Sequence, residues 1–180
     1  MTVVAVYTNG SVSWIGSDTA AVYGSGRIME AGQKWYGANG WMFGHCGDCR
    51  VADAIMSGVD ALFENMAGPN QFPERLAGLY RKIGMQPRFD HGETVPAWCN
   101  SGILARAGAA WDVDGTLSLV PIPAKQVFAR GIGGEIAMAA ALGYQRAKPE
   151  ASPEILIEQA IRCAAVLNRQ VSGFWSHRIF

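Results

Sequence analysis

Apolar residues recur along this chain first at strand spacing and then at helix spacing. Thr2 to Thr8 is β-rich, Asn9-Gly10 offers two positive-φ residues for a tight hairpin turn, and Val12 to Gly16 returns with Val, Trp and Ile. A second antiparallel pair is predicted from Gln33 to Tyr36 and from Trp41 to Gly44, connected by Gly37-Ala38-Asn39-Gly40. From Asp48 to Asn65 the residues Val51, Ile55, Val59, Leu62 and Phe63 fall three or four apart, the spacing of one helix face. A second helix is expected from Phe72 to Ile83, entered through Pro73 and ended by Gly84 and Pro87.

Strand character returns at Gly102 to Ala107 and at Leu117 to Pro121, joined across Asp114-Gly115, and again at Gln126 to Ala129. The Gly131-Ile132-Gly133-Gly134 turn then opens a short Ala-rich helix to Leu142. A last helix starts at the Ser152 cap with Pro153 in its first turn and runs towards Val171. Strands, two helices, strands, two helices is not the order of alternating βαβ winding. It predicts an α+β fold, an αββα sandwich of two antiparallel sheets between helical layers. No repeat or linker interrupts residues 1–180, so one domain is expected, with Gly84 to Val95 as a mobile connection.

Composition narrows the function classes. Hydrophobic residues make up 49% and charged residues 17%, an apolar balance that leaves surface for contacts with other subunits. Fifteen basic and fifteen acidic side chains cancel, and Lys and Arg form no run, so nucleic acid and membrane surfaces are not expected partners. No apolar stretch approaches the roughly 18 residues of a membrane span, and no secretory leader opens the chain; a cytoplasmic protein is expected. Cys46, Cys49, Cys99 and Cys163 are too sparse for a disulfide framework.

Thr2 follows the initiator methionine, and a small side chain there permits Met1 removal. A terminal threonine carries its own base, because its α-amine, with an ordinary pKa of about 8, lies beside the hydroxyl nucleophile. Asp18 and Lys34 fall in the opening strands, where both side chains can converge beneath residue 2. A buried ammonium beside a threonine hydroxyl favours the alkoxide, and a carboxylate beside the ammonium fixes its orientation.

Thr2-Val3-Val4-Ala5-Val6 with Asn9-Gly10, then Gly16-Ser17-Asp18, Gln33-Lys34-Trp35 and Gly44-His45-Cys46-Gly47, resembles the proteasome β-subunit family, and within it the bacterial HslV-type peptidases. The intervals of sixteen residues from Thr2 to Asp18 and thirty-two from Thr2 to Lys34 match without a gap. The resemblance implies the N-terminal-nucleophile (Ntn) hydrolase fold and stacked homo-oligomeric rings enclosing a chamber. It also implies a threonine-type endopeptidase that cleaves peptides or unfolded proteins through an acyl-enzyme on Thr2. Lys34 and Asp18 would tune Thr2, and the Gly47 backbone N–H would serve the oxyanion. An ATP-dependent unfoldase is the further partner this kinship implies, and no metal or organic cofactor is.

Two positions depart from the family pattern. Ile132 stands where the glycine-rich turn carries a serine that contacts the threonine amine, and Arg169 stands where an Asp precedes Ser172-Gly173. Ser172 is left to assist the amine. These losses support an alternative of a different class, a ring-forming scaffold with weak or no catalysis. Three other motifs offer rival chemistry. Cys46-Gly47-Asp48-Cys49 has dithiol spacing, but two hairpins precede it where a thioredoxin-like fold needs a βαβ unit. His45, Cys46 and Cys49 with His91 or Cys99 lack a second close pair for zinc. The Gly131 to Gly134 turn lacks the Lys-Ser/Thr pair of a phosphate loop.

Overall fold

The computed structural model describes residues 2–22, 28–30, 32–87, 98, 100–168, 170–171 and 173–180. Its first sheet is antiparallel, in the order β10-β1-β2-β11, from β1 (Val3–Thr8), β2 (Ser13–Ser17), β10 (Val127–Gly131) and β11 (Trp175–Ile179). The second runs β5-β6-β7-β8-β9, from β5 (Trp35–Ala38), β6 (Trp41–Cys46), β7 (Ser101–Arg106), β8 (Ala109–Val113) and β9 (Leu119–Pro121). A short hairpin, β3 (Ala20–Val22) with β4 (Ile28–Glu30), stands apart.

Alternation within β1 assigns the layers. Val3 and Ala5 pack with Ile157, Ile161 and Ala164 of α5 (Pro153–Leu167) and Ala137 of α4 (Gly134–Ala147). Val4 and Val6 face the other way, onto Met42, Cys46, Ile103 and Ala105 of the second sheet. Burial on both faces explains why β1 reads as an unbroken apolar run. Phe43 and Leu104 point out of the second sheet towards α1 (Cys49–Ser57), α2 (Val59–Phe63) and α3 (Phe72–Lys82), meeting Ile55, Phe63, Phe72 and Tyr80. The result is the expected αββα sandwich. Each fully buried Ile, Leu or Phe in these layers contributes about 1.5–3 kcal/mol relative to exposure.

Several local expectations need correction. The first hairpin is closed by four residues: Gly10 alone has positive φ, while the Asn9 side chain accepts N–H bonds from Ser11 and Val12. Asn39-Gly40, with φ of 54° and 77°, makes the two-residue turn instead, and β5 extends to Ala38. The helix expected from Asp48 to Asn65 breaks at Gly58 into α1 and α2, because Gly58 leaves helical geometry (φ −117°, ψ 16°). α4 passes through Gly143 to Ala147 rather than ending at Leu142, and α5 stops at Leu167, short of Val171. β3, β4, β8 and β11 carry no expectation from the sequence. Of the expected mobile connection, residues 88–95 lie outside the described residues.

Candidate active site

Thr2 enters the fold at the head of β1, between the two sheets, and is 6% exposed. Asp18 lies one residue beyond β2 and Lys34 one residue before β5, so two strand ends of different sheets bring them together at the same edge. The Asp18 N–H donates to the Val3 carbonyl at 3.1 Å, and Asp18 Oδ1 accepts the Val3 N–H at 2.7 Å. The same Oδ1 accepts from Lys34 Nζ at 2.8 Å, while Oδ2 accepts the Ala20 N–H at 3.2 Å. Lys34 Nζ also donates to the Ala20 carbonyl, its N–H donates to Ser17 Oγ at 3.1 Å, and its carbonyl accepts the His45 N–H at 2.9 Å. One carboxylate oxygen thus ties the residue after Thr2 to a lysine ammonium.

Asp18 is fully buried and Lys34 is 9% exposed. Burial lowers the Lys34 ammonium from the ordinary lysine range, and the Asp18 charge pulls it back up. Burial likewise raises the Asp18 carboxyl, against the pull of Lys34 and of the Val3 and Ala20 N–H groups. A lysine with a weakened hold on its proton, locked against a carboxylate, is the electrostatic environment in which a nearby hydroxyl loses its proton more readily.

Gly131 closes the other side of Thr2. It pairs with Val3, has φ of 98°, and lies so close that a β-carbon there would run into the Thr2 carbonyl oxygen and come within 3.4 Å of Cys46 Sγ. Only glycine fits. Cys46 ends β6, and burial pushes its thiol up to about 12, the reverse of an activated dithiol; Cys49 is exposed. Gly47, with φ of 149°, is the exposed turn between β6 and α1, and Asp48 caps α1 by accepting the Arg50 N–H at 2.9 Å.

Thr2, Asp18, Lys34 and Gly47 are therefore placed at one end of the sandwich. Ser172 and Arg169 lie outside the described residues, as do His91 and Cys99 of the zinc alternative. Among the described residues no group of three or more His, Cys, Asp and Glu side chains is arranged to hold a metal, and no helix is long and apolar enough to cross a membrane. Ile132 is 49% exposed in the turn before α4.

Two arrangements escaped the sequence reading. Asn100 Oδ1 lies 3.0 Å from His45 Nε2 and accepts the Asp48 N–H at 2.8 Å. Arg130 of β10 forms an ion pair with Asp112 of β8, linking the two sheets near Cys46. Neither has a local signal, since each joins residues far apart in sequence.

No family model matches the sequence, and no curated protein is similar to it in sequence. Solved structures are similar in fold. A Thiobacillus denitrificans protein, BPH, superposes with a TM-score of 0.79 at 15% identity, over 99% of this chain and 97% of that one. The same protein in complex with epoxomicin gives 0.78 at 15% identity over the same shares. Eukaryotic HslV from Trypanosoma brucei gives 0.68 at 19% identity over 98% of both chains. Along nearly its whole length, then, the chain has the αββα fold of HslV and of BPH.

Proposed function

We propose that the protein is a threonine-type peptidase subunit of a self-compartmentalised ring complex, cleaving peptide bonds with Thr2 after Met1 is removed. The observation that carries this reading is the shared Asp18 Oδ1, which binds the Val3 N–H and the Lys34 ammonium and so fixes a buried cation beside residue 2. The likeness in fold to HslV, and to a protein solved with epoxomicin, supports it.

In this reading the Thr2 α-amine takes the hydroxyl proton as Oγ attacks the substrate carbonyl. Lys34 stabilises the developing alkoxide, Asp18 holds Lys34, and the Gly47 N–H receives the oxyanion. The amine then returns the proton to the departing nitrogen, and water releases the acyl group from Thr2. Ser172 is assigned to orienting the amine. Identical subunits form the stacked rings, an ATP-dependent unfoldase feeds them unfolded chains, and the site of action is the cytoplasm.

Intact mass spectrometry of the native protein with and without epoxomicin tests the nucleophile. Loss of Met1 and a single adduct on Thr2, absent in Thr2→Ala together with all peptidase activity, is expected. A retained Met1, or a free Thr2 that stays unmodified, leaves the scaffold reading, which the exposed Ile132 favours because it offers the amine no hydroxyl.

A further inference from the structure

The β6–β7 ladder ends where Gly47 begins. Cys46 pairs with Ser101 and His45 with Gly102, so Asn100 occupies the place opposite Gly47. The strands do not continue there. Gly47 turns away at a φ of 149°, and the Asn100 side chain replaces the next rung by accepting the Asp48 N–H at 2.8 Å.

A backbone N–H can only donate, so the Asn100 atom it meets is the amide oxygen. His45 Nε2, 3.0 Å from that oxygen, must then also donate, so the ring carries a proton on Nε2. His45 and Asn100 are each 3% exposed. One buried oxygen thus grips the chain on both sides of Cys46-Gly47, from the residue before the pair and from the residue after it.

We propose that Asn100, braced by His45, is a positioning residue for the oxyanion. It fixes the glycine turn so that the Gly47 N–H is presented to the carbonyl oxygen that Thr2 attacks, an inference that rests on the threonine-peptidase reading. Glycine at positive φ has many neighbouring conformations, and two hydrogen bonds to a single anchored acceptor remove them. A misplacement of about 1 Å in such a donor costs about a hundredfold in rate.

The experiment compares the intact protein with Asn100→Leu, of similar volume without the acceptor, and Asn100→Asp, which keeps an oxygen in place. Steady-state cleavage of a fluorogenic peptide amide gives kcat and KM. A peptide aldehyde, which forms a tetrahedral hemiacetal on the hydroxyl, reports affinity for the oxyanion geometry. Asn100→Leu is expected to lose about thirtyfold to a hundredfold in kcat with KM within about threefold of wild type. Aldehyde affinity should fall in step, and Asn100→Asp should recover most of the loss.

An assembled, folded Asn100→Leu with wild-type kcat overturns the inference, as does unchanged aldehyde affinity, or Asn100→Asp as impaired as Asn100→Leu. Should Asn100→Leu fail to fold, His45→Phe keeps the Asp48 bond and removes the brace; about a tenfold loss of kcat is expected, and none overturns the inference. A wild type without peptidase activity, or Thr2→Ala retaining it, sinks the peptidase reading and this inference with it. Normal behaviour of both with an unaffected Asn100→Leu sinks this inference alone.

Discussion

His45→Gln isolates a pH dependence of stability that the fold builds in. The imidazole is buried against Phe43, Asn100 and the start of α1, and burial lowers its pKa from the ordinary 6.5 to about 4, with the nearby Lys34 charge acting in the same direction and Asn100 and Asp48 against it. The unfolded chain binds this proton at about 6.5 and the folded chain at about 4, so between those values the unfolded state holds more protons. The contribution to stability is complete above about pH 6.5 and falls as the pH falls. At about 1.4 kcal/mol per unit, about 2.5 kcal/mol is gone by about pH 4.5, and about 3 kcal/mol well below that. Glutamine keeps an N–H for Asn100 and cannot titrate. Urea denaturation followed by tryptophan fluorescence, from about pH 7.5 to about pH 4.5, should show wild type losing about 2.5 kcal/mol more than His45→Gln. His177, His91 and the carboxylates are common to both proteins and cancel. Parallel curves would refute the neutral, buried assignment of His45.

Three other perturbations probe the frame around the site. Asp18→Ala removes the counter-charge of the Lys34 ammonium and the acceptor of the Val3 and Ala20 N–H groups, and should cost about 3–5 kcal/mol in urea denaturation; a loss under about 1 kcal/mol contradicts the buried pair. Arg130→Met leaves the Asp112 carboxylate without its guanidinium partner and should destabilise by about 1–3 kcal/mol, the partly exposed arginine being screened in part by solvent, whereas Arg130→Met with Asp112→Leu should recover most of it; equal loss in both contradicts the pairing. Gly16→Ala drives a methyl to 2.6 Å from Ile157 Cγ2 and should cost about 1–3 kcal/mol, relieved in part when Ile157→Ala is added; strict additivity of the two would show that they do not touch.

Much of this architecture is legible in local patterns, and the exceptions share a cause. The hairpin at the start of the chain, α3 with Pro73 in its first turn and α5 after the Ser152 cap all carry signals within a few residues. β8 does not: Ala109-Ala110-Trp111-Asp112-Val113 places an acid in a strand core, tolerable only because Arg130 arrives from the opposite sheet. β11 has polar residues at Ser176, His177 and Arg178 and becomes a strand through its ladder with β2. α4 runs through Gly143 because the Ala137 and Ala141 face is already packed on β1 and β10. At the site, the positions of Thr2, Asp18, Lys34 and Gly47 follow from strand ends, but their bonds do not. Asn100 was invisible because its meaning comes from a ladder that stops opposite it.

The order of strands in the first sheet bears on how the chain is made. β1 and β2 emerge from the ribosome together, yet β1 takes its other neighbour from β10, and Ser17 of β2 pairs with Trp175 of β11. Each of the first two strands therefore keeps one edge unpaired until a later segment is translated, leaving Val3, Val4 and Val6 of β1 and Ile15 of β2 uncovered until then. The β1–β2 ribbon is thus an open, sticky edge in the nascent chain, and co-translational chaperones have reason to hold it until β10 and β11 complete the sheet.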